Sequence, residues 1–285
     1  MTTSLAYLPV HKQIEINRIA DIIKDVVKPE KIILFGSYAK GTFIENIYRA
    51  KDGTTYEYIS DYDFLVVTKD NPEKTYVQEG QIMDKTARYK PPVNLEIHDI
   101  AYINEGLETG EYFFVDIVKE GILLYDKGKL HFASARELTN SEKKEKAIRY
   151  FDTWFPQSKE FIIDCNHAFN RGNYKKGAFE LHQATESLYY TTLLVFTDYK
   201  PKTHNLWKLR KKTKPYSEEL FSIFRAETDK HEEHLFDLLK RGYIDARYRT
   251  DYIITKEELA VLIERVTLMN PIVERISKER ITLFD

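Results

Sequence analysis

A chain of 285 residues, 42% hydrophobic and 31% charged, can bury a core in each of two domains of ordinary size. Its formal net charge of -2 excludes an overall electrostatic drive toward nucleic acid or an anionic membrane, so any such binding has to be local. The single cysteine, Cys165, excludes an internal disulfide framework, and no apolar run nears the roughly 20 residues that span a bilayer. The expectation is a soluble cytoplasmic protein with no targeting segment and no membrane partner.

In chain order, Ile16, Ile19, Ile23 and Val26 or Val27 predict an amphipathic helix over 13–27, ended by Pro29. Ile32 to Phe35 reads as a buried strand that delivers Gly36-Ser37, a small-residue turn where backbone N–H groups and a hydroxyl can approach phosphate oxygens. Gly36 to Thr42 turns into a second helix or a loop. Asp52-Gly53, between strand-like flanks at 47–49 and 56–59, is a hairpin signal. The next strand, 61–68, carries Asp61 and Asp63 on one face, because side chains at i and i+2 point the same way. It stops at Asp70-Asn71-Pro72. A helix over 78–89 precedes Pro91-Pro92, and a strand over 93–100 places Asn94, Glu96 and His98 on one face. One helix over 104–120 and a short returning strand at 121–125 complete this half.

Beyond Asn140 the pattern is helical throughout. Thr139-x-x-Glu142 has the form of a capping box. Helices are predicted over 141–170 (bent at Pro156), 174–197, 205–213, 216–224, 228–248 and 256–277. The polar stretch around Gly128 gives the division 1–128, a linker at 129–140, and 141–285: an α+β half with a mixed sheet, followed by an all-α bundle.

An Asp-x-Asp pair on a strand is by itself mostly a solvated face, and Gly-Ser is mostly a turn. Their order here is more specific: strand, Gly-Ser, Asp-x-Asp strand, carboxylate strand. Asp61, Asp63 and Glu96 supply hard oxygen ligands for one or two Mg²⁺ ions, which keep open positions for substrate phosphates. The Gly36-Ser37 turn would hold those phosphates in line.

Phe35-Gly36-Ser37, Asp61-x-Asp63 and Glu96 resemble the signature of the DNA polymerase β-like nucleotidyltransferases, particularly the small prokaryotic members and the antibiotic nucleotidyltransferases. That resemblance implies transfer of a nucleoside monophosphate from a nucleoside triphosphate, ATP being the expected donor, to a hydroxyl with release of pyrophosphate. It makes Asp61 and Asp63 the ligands of a two-metal site and Glu96 a ligand or the base, with Asp99 as rival should the strand register differ. Gly36 and Ser37 would bind phosphate, with Lys40 adding charge. The 24 positions from Ser37 to Asp61 exceed the short connection of the minimal members, and the hairpin at Asp52-Gly53 accounts for the extra length.

The second half resembles a HEPN domain through three runs, Leu181 to Glu186, Tyr199 to Leu206 (with Lys202) and Tyr243 to Tyr248. HEPN ribonucleases pair an Arg with a His four to six residues on. Arg225 and His231 have that spacing but lack the polar residue after the Arg, so nuclease activity is not expected. His182, Glu186, Asp245 and Arg247 either line an acceptor-side cleft or form a buried cluster that fixes helix packing. The basic run from Trp207 to Lys214 is either an RNA contact or a charged helix end. The alternatives to a hydroxyl-directed enzyme are a toxin–antitoxin type protein that modifies protein or tRNA, and a non-catalytic nucleotide-binding module. The sequence does not fix the oligomeric state; helical bundles of this type often pair, which leaves a homodimer through the helical half open.

Overall fold

Ile16, Ile19 and Ile23 recur at helical spacing and lie fully buried on one side of α1 (Val10–Val27), the first helix of the computed structural model. The structure describes residues 1–49, 55–201 and 203–285. These divide into two units, Met1–Glu137 and Leu138–Asp285. Lys28 ends α1 in the left-handed conformation, with φ +52°, and returns its N–H to the Lys24 carbonyl.

The first unit continues with β1 (Lys31–Phe35), α2 (Gly36–Lys40), β2 (Glu45–Arg49), β3 (Thr55–Ile59) and β4 (Tyr62–Thr68). After these come α3 (Thr75–Thr86), β5 (Val93–Asp99), α4 (Ile100–Glu108), α5 (Tyr112–Glu120) and β6 (Ile122–Asp126). Four strands form a mixed sheet in the order β5-β4-β1-β6. β1 runs antiparallel to β4 and β6, while β4 and β5 are parallel and joined through α3. The end of β1 and the starts of β4 and β5 therefore meet at one end of the sheet. Phe35 lies opposite Asp63, and Asp63 opposite Asn94.

Alternation sends Ile32, Leu34, Phe64 and Val66 toward α1, where they share a core with Ile97 and with Ile82 of α3. Burying each large aliphatic side chain contributes about 1.5–3 kcal/mol. The other face of β1 meets α5, with Phe35 edge-on to Phe113. β2 and β3 pair antiparallel, Glu45 opposite Ile59 and Arg49 opposite Thr55, as the hairpin reading requires. The Asp52-Gly53 turn itself lies outside the described residues.

Two helical expectations change here. The segment read as one helix over 104–120 is two, because the Asp99 carboxylate caps α4 by accepting from Ala101 N–H at 2.9 Å and Gly110 breaks the chain at φ +74°. The helix expected at 78–89 begins earlier, at Thr75, and ends at Thr86.

The second unit contains α6 (Asn140–Asn170), α7 (Tyr174–Thr197), α8 (Leu206–Thr213), α9 (Glu218–Ser222), α10 (Lys230–Arg241), α11 (Asp245–Tyr248) and α12 (Lys256–Thr282). No strand occurs among its described residues. Thr139 and Glu142 form the reciprocal capping box that starts α6, and Thr255 and Glu258 do the same for α12. α7 is the central helix. Its sides pack on α6, α12 and α8, so Leu181, Ala184, Thr185, Leu188 and Thr192 are all buried. Threonines on such a helix return their hydroxyls to its own carbonyls, as Thr185 does to Leu181 at 2.8 Å, which satisfies them without an outside partner. The helix expected over 228–248 is broken at Gly242, where the chain passes so close to α7 that a Cβ would lie 2.7 Å from the Ala178 carbonyl oxygen. The helix expected over 216–224 is shorter, α9, and α12 runs beyond Ser277.

Candidate active site

Asp61 and Asp63 flank Tyr62 at the start of β4, both half-buried, and their carboxylates converge on one donor. Asn94 Nδ2 donates to Asp61 Oδ2 at 2.8 Å and to Asp63 Oδ1 at 3.1 Å. Two carboxylates brought to a single amide would repel each other without that shared donor, so Asn94 holds the pair together. Asn94 belongs to the predicted face of β5, but its bridging role is new. Only the parallel register that sets it opposite Asp63 assigns it.

Gly36 closes the other side. Its φ is +73°, and a Cβ there would stand 2.3 Å from Asp63 Oδ2. Conformation and space both demand glycine. Gly36→Ala should cost about 1–3 kcal/mol of stability and push the Asp63 carboxylate from its place. Thermal unfolding of the variant, read beside its cation binding, checks both effects.

Glu96 shares the face of Asn94 and sits beside Leu65 of β4. Its carboxylate is buried and meets His98 Nε2 at 3.1 Å, while the His98 ring packs on Tyr102 and edge-on to Phe114. Burial, with the charges of Glu111 and Glu96 among others, pushes the Tyr102 phenol up to about 12, so it stays protonated. Asp99 faces elsewhere, occupied with its α4 cap and with Asp70 N–H at 3.0 Å. Lys40 pairs with Glu120 at 2.5 Å, half-exposed. An open cavity of about 400 Å³ lies at the other edge of the sheet, lined by Gln13, Asn17 and Tyr125 among others, and includes none of these residues.

In the helical unit, His182 and Glu186 are buried. Glu186 Oε1 meets His204 Nδ1 at 2.8 Å, and the Tyr243 ring stacks on both imidazoles, 5.2 Å from His182 and 4.5 Å from His204. His182 Nδ1 faces the Leu239 carbonyl at 3.1 Å. Asp245 accepts from Arg241 Nε at 2.7 Å, and the exposed Arg247 donates to the Tyr243 carbonyl at 2.7 Å. Burial would raise the Glu186 carboxyl, but the nearby His182 imidazole, 3.9 Å away, and the hydrogen-bonded His204 outweigh it and hold the group below its ordinary 4.5. Its contribution to stability is therefore complete above pH 4.5 and is lost as pH falls through the lower folded value. Unfolding followed from about pH 7 to about pH 3 should show a flatter acid limb for Glu186→Gln than for the native chain.

The run from Trp207 to Lys214 is less basic at its surface than its sequence. Arg210 is fully buried, and its guanidinium binds Glu227 and the carbonyls of Phe221 and Phe224. Lys202, in the second of the three helical runs, lies outside the described residues.

Residues 17–130 match the polymerase beta nucleotidyltransferase family, and residues 151–276 match the HEPN domain. The chain thus carries a polymerase β-type nucleotidyltransferase domain followed by a HEPN domain. A nucleotidyltransferase-like protein from Exiguobacterium sibiricum, known from its crystal structure, shares 13% identity over 93% of this chain and 78% of its own, with a TM-score of 0.31. That similarity is too low to bear on the fold. No curated protein matches the chain. Among the described residues, no helix is long and apolar enough to cross a membrane.

Nucleotidyltransferases of this type generally use divalent metals. Among the described residues, no three His, Cys, Asp or Glu side chains are gathered to hold one. The donor chemistry of the pair does fit. Two carboxylate oxygens already face one partially positive nitrogen, Asn94 Nδ2, and hard oxygen donors suit Mg²⁺.

Proposed function

We propose that the chain transfers a nucleoside monophosphate from a nucleoside triphosphate, with ATP the expected donor, to a hydroxyl, releasing pyrophosphate. The observation that carries this reading is the convergence of Asp61 and Asp63 on Asn94 Nδ2 beside a turn that only glycine fits. In this proposal Asp61 and Asp63 hold Mg²⁺, which when bound lends Lewis acidity at the phosphoryl oxygens. The Gly36-Ser37 turn binds phosphate through backbone N–H and hydroxyl. Lys40, paired with Glu120, adds charge only by exchanging partners.

Glu96 is buried with its carboxylate against His98, so we assign it as the base rather than a ligand. It takes the proton of the acceptor hydroxyl as that oxygen bonds to the α-phosphorus and the bond to pyrophosphate breaks. His98, within 3.1 Å of its carboxylate, orients it. His182 and Glu186 act in this reading by fixing the helical unit, because both are buried among packed helices.

Purified full-length protein supplied with Mg²⁺, each labelled triphosphate in turn and a panel of small hydroxyl compounds, tRNA and protein tests the proposal. Pyrophosphate release that needs an acceptor supports it. Metal-dependent triphosphate binding with no turnover on any acceptor would replace it with the non-catalytic reading.

A further inference from the structure

The side of β4 that faces away from the acid pair carries a second polar assembly, and none of its members takes part in the proposed chemistry. Tyr62 stands between Asp61 and Asp63 in sequence, so its ring points to the opposite face of the strand, into the core, with no exposed surface. Tyr38 stands two residues beyond Gly36, also fully buried. The two rings lie 4.4 Å apart, and Phe43 stacks on Tyr38 at 4.5 Å. Each phenol ends on a glutamate from a different element. Tyr62 donates to Glu15 of α1 at 2.7 Å, and Tyr38 donates to Glu45 of β2 at 2.8 Å. The buried ammonium of Lys12 joins the two acids, bound to Glu45 and 3.7 Å from Glu15, and lies within 6 Å of both ring centres.

The tyrosines are the inward-facing members of the same two short stretches whose outward members are the phosphate turn and the metal-binding acids. Backbone pairing of β1 with β4 ties those stretches at Phe35 and Asp63 only. α2 has left the sheet by then, and nothing in the ladder fixes where Gly36-Ser37 stands relative to Asp61. The Tyr38–Tyr62 contact does so from behind, and the chain of Glu45, Lys12 and Glu15 closes it into a loop of contacts that passes through α2, β2, α1 and β4. Such a buried network is stable only when every member is satisfied, which makes it stiff. A misplacement of about 1 Å at a reacting centre can cost on the order of 10²-fold in rate.

We infer that Tyr38 and Tyr62 are positioning residues for nucleotidyl transfer, holding the Gly36-Ser37 turn and the Asp61/Asp63 pair at a fixed separation through Lys12, Glu15 and Glu45. The inference rests on the proposed role of the acid pair. It implies that a hydroxyl facing away from the site sets the site's affinity for cation and its rate.

The test uses full-length Tyr62→Phe and Tyr38→Phe, with Glu15→Gln as the conservative variant, whose amide oxygen still accepts the Tyr62 hydroxyl. Mg²⁺ affinity is read by titration calorimetry, and kcat and KM by pyrophosphate release, at a temperature where each variant is fully folded by circular dichroism. Each phenylalanine variant should bind Mg²⁺ several-fold more weakly and lose about tenfold in kcat, with KM for the triphosphate changed less, whereas Glu15→Gln stays close to the native protein. A purely structural role would lower the melting temperature and leave affinity and kcat of the folded protein as they are. Native affinity and kcat in both folded phenylalanine variants would overturn the inference. Should one variant fail to fold, the other decides. Mg²⁺ binding lost in Asp61→Asn but unchanged in Tyr62→Phe overturns only the positioning role. Mg²⁺ binding by the native chain that Asp61→Asn and Asp63→Asn leave unaltered overturns the reading of the acid pair itself.

Discussion

Replacing Asp63 with Asn should lower nucleotidyl transfer by about 10³-fold or more, equivalent to roughly 4 kcal/mol of lost transition-state stabilisation. The carboxamide has the shape of the carboxylate and still fits beside Gly36, where an added Cβ would stand 2.3 Å from the native Oδ2. It brings half the oxygen donors and no charge, so it can neither bind a hard cation tightly nor offset charge building on a phosphoryl group. The same holds for Asp61→Asn. Stability should move the other way. Asn94 Nδ2 holds two like charges at 2.8 and 3.1 Å, and neutralising one relieves their repulsion. The variant should melt at or slightly above the native temperature while losing activity, a trade seen where a site carries electrostatic strain. Steady-state rates and melting curves on the same preparations check both signs.

Arg210→Ala should strongly destabilise the helical unit, by about 2–5 kcal/mol. The Arg210 side chain is fully buried, and its guanidinium reaches Glu227 with both terminal nitrogens, at 2.6 and 2.9 Å, and the Phe221 carbonyl with Nε at 3.0 Å. It also lies 3.8 Å over the Phe221 ring. Truncation leaves the Phe221 and Phe224 carbonyls without their donor and opens a cavity between α8 and the loop after α9, while the exposed Glu227 carboxylate turns to solvent. Arg210→Lys should recover only part of this, because a single ammonium cannot serve a carboxylate and two carbonyls in the fork geometry of guanidinium. Denaturant unfolding of the native chain and both variants gives the order native, Lys, Ala.

The residues that sequence placed well are those whose position depends on local rules. The run Ile32 to Phe35 had to be a strand that Gly36 ends, although α2 begins at Gly36 itself, and the two-residue period had to put Asp61 and Asp63 together whatever the neighbouring strands did. The Thr139 and Glu142 capping box is likewise a four-residue matter. What escaped depends on partners far along the chain. Asn94 was visible on the face of Glu96, yet its bond to both acids follows from the parallel register of β4 and β5, which no local pattern encodes. Arg210 was counted into a basic surface run, although Leu206, Leu209 and Thr213 share its side of α8, and that stripe was the available sign that it points inward. Tyr62 is the middle residue of the Asp-x-Asp motif. Its period-two position already said it faces the core, but the acid that receives its hydroxyl, Glu15, is 47 residues away. Gly110 and Gly242 were both legible as interruptions, and strong apolar periodicity on either side masked them.

A cation-dependent nucleotide site at Asp61 and Asp63 is tested by equilibrium binding of a non-hydrolysable ATP analogue to the full chain. The native protein should bind the analogue with Mg²⁺ present and lose most of that affinity with chelator, and Asp61→Asn/Asp63→Asn should bind weakly in both conditions. Equal binding by native and doubly substituted protein, with or without Mg²⁺, would contradict it.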